Sequence, residues 1–398
     1  MDANDPGTPP PIPQDPPESP QESSPLLLPS LRIENFRGFK ELTIPKLGRV
    51  NLIVGKNGVG KSSLLEALHL YFTDGAPEAI QDIFDRRDEY RPRAINGLSG
   101  TGTAPARIKY LVENIFHGRP KISNIDHPIS IGPYSRESLH IRFSKEGLLG
   151  EYEMSTGKMT NRESERFTIN AQPSLVISRD IREIREFILT DDNKGFPVLT
   201  IINIDEDTLT KDSCTNIPQS GLSNSQAAAM WDRVSLTDLE DEVISAIKIL
   251  TKEIQRLGVI GDAADIGGRR FVARVDGMSM PLPLKELGDG TVRTLGLALA
   301  LACQPDRAIL IDELENGLHW SVQSKVWEIV FTLAERLNVQ VFATTHSYDC
   351  IEAFQQAASR SREPAYLIRL DNRGPELKAV SITGDELAYI TREKIEVR

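Results

Sequence analysis

The chain has 398 residues, 39% of them hydrophobic and 26% charged, and a net charge of −11. That is enough for two or three compact units with a sizeable core, and the acidic average field draws no nucleic acid to the molecule as a whole, although a local basic groove stays open. No apolar run approaches the ~18 residues of a membrane span, and the start lacks the basic and apolar segments of a signal peptide. Cys214, Cys303 and Cys350 lie far apart and fit no zinc or redox spacing, so a reducing cytoplasm is the simplest expected setting.

Residues 1–30 are rich in Pro, Ser, Gln and acidic residues, with almost nothing apolar before Leu26. Such a segment cannot bury enough surface to offset its ordering entropy, so a disordered leader is expected, with a docking tail as the alternative. Residues 31–74 open the first structured unit. Leu31–Phe36 alternates as a strand does, Leu42–Ile44 reads as its partner, and Arg37-Gly38-Phe39 joins them. Val50, Leu52, Ile53 and Val54 then form a short apolar run expected to be a buried strand.

Gly55-Lys-Asn-Gly-Val-Gly-Lys61-Ser62 follows and matches the phosphate-loop pattern G-x-x-x-x-G-K-[ST] at every fixed position. Leu64, Leu65 and Leu68 share one face of the helix that begins after it. Glycines let the backbone curl so that several N–H groups point at phosphate oxygens, and the helix N-terminus adds its positive dipole end. Gly55, Asn57, Gly58, Gly60, Lys61, Ser62 and Ser63 are the expected nucleotide contacts. Lys61 reaches for the β- and γ-phosphates, and the Ser62 hydroxyl takes one Mg²⁺ position. The alternative is a glycine turn that happens to fit the pattern; the strand before it and the helix after it argue against that.

Residues 75–225 read as an inserted or elaborated lobe. Arg107–Val112 and His140–Phe143 look like half-buried or edge strands, and Leu149–Ile169 like a polar hairpin. The basic residues at 86, 87, 91, 93, 107, 109, 119 and 121 either line a nucleic-acid path or form a solvated, salt-bridged face among Asp82, Asp85, Asp88 and Glu89. Two strand-like runs, Ser174–Ile177 and Pro197–Ile202, flank Ile181, Ile184, Phe187 and Ile188 at helical spacing, and residues 207–224 read as a polar loop. Residues 226–260 are expected to hold one long helix. Its N-cap is Ser235, its stripe is Leu239, Val243, Ile247, Leu250, Ile254 and Leu257, and Gly258 stops it.

Residues 261–398 return to the first unit. Arg270–Val275 and Met278–Leu284 read as strands about an Asp276-Gly277 turn. Gly288, Asp289 and Gly290 precede the small-residue helix Val292–Ala302, a turn that is either an anion site or an ordinary glycine turn. Ala308–Glu313 is an apolar strand ending in two carboxylates, placed where α/β folds bind ligands. Asp312 suits water-mediated Mg²⁺ binding and Glu313 a general base. Helix Trp320–Leu337 follows, and the strand from Val339 leads to His346, a residue that either bonds a γ-phosphate or attacking water or is structural. Leu367–Leu370 with Leu377–Ile382 reads as a closing hairpin, and Glu386–Arg398 as a short helix and tail.

In this order the motifs resemble the ABC-type ATPases of the SMC, RecF and OLD group, more narrowly the AAA family ATPases that carry an ABC-like head without a transporter. The resemblance runs from Leu31 to about Leu370 and is weak across 75–225. It implies an α/β fold. The expected form is an ABC-type P-loop head with an antiparallel N-terminal β subdomain, a mixed or parallel core sheet and a helical or mixed inserted lobe. Gly55–Ser62 takes the Walker A place, Leu287–Thr291 the signature, Ile309–Glu313 Walker B with its catalytic glutamate, Glu315–His319 the D-loop and His346 the switch histidine. Arg37 matches a nucleotide contact of the first hairpin. The resemblance further implies ATP and Mg²⁺ as cofactors and a head-to-head dimer that sandwiches two ATP molecules between Walker A and the other head's signature.

The signature departs from the family, with Leu-Gly-Asp-Gly-Thr in place of Leu-Ser-Gly-Gly-Gln. No Q-loop is placed; Gln81 and Gln172 are candidates. Long coiled-coil arms and a Toprim nuclease domain are not expected. An ATP-driven switch acting on a separate effector in bacterial anti-phage defence is the first expectation. A RecF-like DNA-repair ATPase is the second, and an interaction module with structural nucleotide the third.

Overall fold

A computed structural model of the chain describes residues 24–93, 107–121, 124–134, 137–144, 150–154, 165–169, 174–189, 199–203, 214–261, 269–372, 377–393 and 395–396. The N-terminal hairpin is β1 (Leu31–Phe36) against β2 (Phe39–Ile44), with Leu31 opposite Ile44. β3 (Val50–Val54) is buried at every residue and runs through the glycine loop into α1 (Lys61–Phe72). α2 (Pro77–Asp85) starts on a proline, whose missing N–H costs nothing in the first turn. β4 (Tyr90–Arg93) and β5 (Arg107–Tyr110) form one ribbon. β6 (Ile129–Gly132) and β7 (Leu139–Ser144) follow, then a second ribbon of β8 (Gly150–Met154) and β9 (Glu165–Ile169). β10 (Ser174–Arg179), β11 (Arg182–Leu189), β12 (Leu199–Asn203) and β13 (Cys214–Ile217) lead to α3 (Asn224–Val234) and α4 (Asp238–Lys248).

A small antiparallel sheet of β14 (Ile254–Ile260), β15 (Arg270–Val275) and β16 (Leu282–Pro283) precedes α5 (Asp289–Ala302). Then come β17 (Ala308–Ile311), α6 (Trp320–Arg336), β18 (Gln340–Thr344), α7 (Tyr348–Ala358), β19 (Ala365–Asp371), β20 (Lys378–Ile382) and α8 (Gly384–Arg392).

Two sheets carry the head. One is antiparallel throughout, in the order β12-β11-β10-β7-β6-β1-β2; the other runs β13-β17-β18-β3-β19-β20 and is parallel except for its last pair. Alternation along the central strands divides the core. Leu52, Ile309, Ile311, Val341 and Ala343 pack into one cluster with α3–α7, whereas Ile53, Leu310 and Phe342 pack into another with α1 and the antiparallel sheet. Helix α1 therefore lies between the two sheets, with its N-terminus at the C-terminal ends of β3, β17 and β18.

This is the expected α/β P-loop head, with an antiparallel β subdomain and a mixed core sheet. Four readings change. The stretch 75–225 is not a lobe set apart: β6, β7 and β10–β12 extend the sheet begun by β1, and β13 is the edge of the core sheet. Residues 226–260 hold two helices and a strand instead of one long helix. Thr237, not Ser235, caps α4 by accepting the Leu239 N–H, and Gly258 lies inside β14 opposite Val272. The misleading spacing comes from a bulge between Ile254 and Arg256, which turns Ile254 and Leu257, an odd number of residues apart, toward the same core.

Residues 181–188 also lie in a strand, not a helix. A two-residue turn at Asp180 and Ile181 joins β10 to β11, and Asp180 takes the left-handed φ of 48° that such turns need. Burial of Ile184, Arg185, Glu186 and Phe187 in succession gives the strand no alternating pattern to read. The fourth change is at the leader. Leu28 is fully buried, and its backbone N–H and carbonyl bond the Gln340 side chain at 2.8 Å each; residues 1–23 of the leader lie outside the described residues.

Candidate nucleotide site

The loop between β3 and α1 is shaped by glycines that cannot be replaced without strain. Gly55 has φ 150°, and a Cβ there would come within 2.8 Å of the Leu370 carbonyl; Gly58 has φ 75° and needs glycine for its conformation alone. Helix α1 starts at Gly60 with no side-chain cap, so its first N–H groups stay available to an anion. Lys61 is 5% exposed. Its ammonium donates to the carbonyls of Gly55 (2.7 Å) and Lys56 (3.1 Å) and lies 3.4 Å from His346 Nδ1. Burial lowers its pKa, opposed by the carboxylates of Glu313, Asp312 and Glu315. A buried, partly desolvated cation in a glycine cradle fits a polyphosphate.

Asp312 and Glu313 leave the C-terminal end of β17 in different directions. The Thr344 hydroxyl donates to Asp312 Oδ1 at 2.7 Å and accepts the Glu313 N–H at 2.8 Å. Glu313 has a left-handed φ of 48°, rare for a residue with a side chain. Its Oε1 lies 3.6 Å from His346 Nε2, and its Oε2 accepts from the Gln219 side-chain amide. Glu315 fixes the next turn. Its Oε1 accepts the backbone N–H of His346 (2.7 Å) and of Ser347 (3.1 Å).

A cavity of about 900 Å³ unites Gly55, Asn57, Gly58, Gly60, Lys61, Ser62, Ser63, Glu313 and His346, with Lys56, Arg87 and Glu396 also on its walls. A smaller cavity of about 270 Å³, which shares Ser62 and Arg87 with the first, is lined by Asp312, Asn216 and Glu66. One hydroxyl and one carboxylate are the hard oxygen donors Mg²⁺ takes when phosphate oxygens and water complete its shell. No group of three His, Cys, Asp or Glu that could hold a metal by itself occurs among the described residues. The donor set thus fits an ion carried in by a nucleotide, held by Ser62 and Asp312.

Two sequence candidates lie elsewhere. Arg37 does not line the cavity. Its guanidinium is buried between Glu66 (2.5 Å) and Glu89 (2.9 Å), so it ties α1 to the segment before β4. Burial raises the pKa of Glu66, which Arg37 and Arg87 oppose. The Gly288–Gly290 turn also stays outside. Asp289 faces a separate cavity with Gln219, Arg293, Asn316 and Gly317, and Gly290 packs against the Gly317 carbonyl.

Other residues at the site were not singled out in the sequence. Gln81 is exposed on α2 and Gln172 lies outside the described residues, whereas Gln219, in the stretch read as a loop, is the glutamine that meets Glu313. A four-residue edge strand ending at Ile217, two residues before that glutamine, is the weak signal that was there. Arg87, one of the residues of the basic run, bonds Ser63 Oγ (3.1 Å) and Glu66 Oε1 (2.6 Å).

Known proteins resemble this chain in its motifs and along most of its length. A protein of Helicobacter pylori named "ATP/GTP phosphatase" is 25% identical over 360 residues, 86% of this chain and 91% of that protein. The "DNA replication and repair protein RecF" of Clostridioides difficile is 46% identical over 45 residues, 11% of this chain and 12% of that one. A solved SMC head bound to the C-terminal winged-helix domain of ScpA covers 92% of this chain and 100% of its own at 12% identity, with a TM-score of 0.47, a likeness too loose to place residues. No helix among the described residues is long and apolar enough to cross a membrane. The family model described as "AAA domain, putative AbiEii toxin, Type IV TA system" matches residues 50–350, from the loop strand past the histidine. The chain belongs to that family and is an ATPase of the AAA type.

Proposed function

We propose that this ATPase is a dimeric, nucleotide-gated switch. The observation that carries the reading is a division within one chain: Lys61, Ser62, Glu313 and His346 share a cavity, and the glycine turn at 288–290 stays out of it. A second copy's turn, with its helix N-terminus, would close over the open side of the bound triphosphate.

Within the site, Lys61 and the loop N–H groups hold the β- and γ-phosphates. Ser62 and Asp312 would hold Mg²⁺, which would supply charge neutralisation for the phosphates. Glu313 accepts a proton from the attacking water as its oxygen bonds the γ-phosphorus; the β–γ bridging oxygen departs with ADP, leaving phosphate. Gln219 holds one oxygen of the Glu313 carboxylate, and His346, with Nε2 3.6 Å from the other, is the proposed partner of the γ-phosphate. Arg37 is proposed as a buried structural ion pair in place of a nucleotide contact.

The proposed setting is bacterial defence against phage with a separate effector as the output; the toxin wording of the family description is in keeping with the defence role, and the three free cysteines are in keeping with a reducing cytoplasm. A RecF-like role on DNA is the second reading, supported by the short RecF match. Within the basic run, Arg86, Arg87 and Arg119 offer it little, because each is within ion-pair distance of an acidic neighbour.

The test is Glu313→Gln. Turnover should fall roughly 100-fold or more, with ATP retained and the variant shifted to a dimer by gel filtration in ATP and Mg²⁺. Unchanged turnover would remove Glu313 as the base, and a monomer in ATP at every concentration would remove the dimeric switch. Wild-type turnover that duplex DNA raises and salt abolishes would favour the second reading.

A further inference from the structure

Arg293 occupies a place no catalytic motif assigns. It sits near the start of α5, the helix that opens with the 288–290 turn, and it is 8% exposed. Its Nη1 donates to the Pro218 carbonyl at 3.0 Å. Its Nη2 donates to the carbonyls of Asp312 (3.2 Å) and Glu313 (3.3 Å). One planar group therefore bridges three pieces of chain: the segment carrying Gln219, the end of β17 carrying the metal and base carboxylates, and the helix behind the glycine turn. Gly221 closes over it; a Cβ there would lie 3.1 Å from Nη1.

We propose that Arg293 is a positioning residue that couples α5 to the base: it fixes Glu313 and Gln219 relative to each other and passes displacement of the glycine turn to them. Three features support this. Glu313 is held in a left-handed conformation whose carbonyl Arg293 grips, so a small shift of α5 rotates the peptide that aims the carboxylate. Its hydrogen bonds run to backbone carbonyls, not to the carboxylates, so they set the geometry of the turn while the buried cation also attracts the Asp312, Glu315 and Glu313 carboxylates. A guanidinium presents parallel donors in a rigid fork, which an ammonium cannot copy. The inference rests on the ATPase reading above.

The experiment uses the full chain and the variants Arg293→Lys and Arg293→Ala. For Arg293→Lys, ATP affinity should stay within about twofold while kcat falls about tenfold or more, because orientation and not ground-state binding is lost. Backbone hydrogen exchange should accelerate in 217–222 and 312–314, and millimolar guanidinium should restore part of the kcat of Arg293→Ala. Unaltered exchange in those two segments overturns the proposal. So does a parallel loss of affinity, kcat and melting temperature, which would make Arg293 a packing residue only. The exchange arm reads the clamp even in a chain that turns over no ATP, whereas absent wild-type turnover would sink the ATPase reading separately.

Discussion

Gln219 donates its side-chain amide to Glu313 Oε2, and so links the edge strand of the core sheet to the strand beside it. The contact comes from strand order. β13 pairs in parallel with β17, Asn216 opposite Leu310 and Ile217 opposite Ile311, so both chains leave the sheet at the same end. The other oxygen faces His346, whose Nε2 lies 3.6 Å away, so the Glu313 carboxylate sits between the ends of β13 and β18 and is bonded from the β13 side.

Gln219→Ala removes that hydrogen bond. The expected outcome is a kcat lowered about tenfold with ATP affinity little changed, since the amide lies at the base and not on the loop. Gln219→Glu should be worse, because a second carboxylate beside Glu313 repels it. Steady-state kinetics of the pair tests this; equal activity of the two variants would count against electrostatic contact.

Thr344→Val keeps the shape of a buried side chain and deletes a hydroxyl that serves two neighbours. The Glu313 N–H is left without its acceptor in a backbone conformation that already carries strain. A loss of about 1–3 kcal/mol in urea unfolding is expected, accompanied by lower turnover. Full stability would mean that the Glu313 turn is held by other contacts.

The Walker loop, the Asp312-Glu313 pair and His346 were legible because each sits at the end of an apolar strand, and burial on both faces writes a continuous run. Gln219 was not. Its strand has four residues, half-buried Cys214 and Asn216 alternate with buried Thr215 and Ile217, and so short a pattern does not stand out from a loop. Where bulges or two covered faces broke the two-residue period, at Ile254–Leu257 and Ile184–Phe187, helical spacing appeared where strands form. For Arg37 the spacing showed only part of the surroundings. Its place in the first hairpin was right, but its partners are the carboxylates of Glu66 and Glu89, neither of which is near it in sequence.

His69 predicts an acid limb of stability. Largely enclosed on α1, with its side chain 12% exposed and Asp82 4.0 Å away, it has a pKa pushed down to about 4, chiefly by desolvation. Between its ordinary value near 6.5 and that value, the unfolded chain binds a proton that the folded chain does not, so stability falls as pH falls through this window and is complete above it. The full effect is about 3 kcal/mol. His69→Gln should flatten the stability profile between pH 4 and pH 6.5 in urea titrations; an unchanged profile would place the acid limb on other groups.

Arg49 tests how the N-terminal segment is bound to the core. It is 1% exposed, and its guanidinium reaches Glu363 (3.2 Å), the Asn338 side-chain oxygen (2.5 Å) and the Ser24 carbonyl (2.7 Å). Those partners come from before β1, the turn before β18 and the turn before β19, so one residue joins three parts of the chain at the N-terminal edge of the core sheet. Arg49→Met should cost about 3–5 kcal/mol, because most of the penalty is the Glu363 carboxylate left largely buried without its cation. If that is the cause, Glu363→Gln made on top of Arg49→Met should recover a large part of the loss, while Glu363→Gln alone destabilises. A double variant no more stable than Arg49→Met would mean that the bonds to Asn338 and Ser24 carry the energy. Proteolysis within residues 24–30 should then accelerate in Arg49→Met and stay slow in Glu363→Gln.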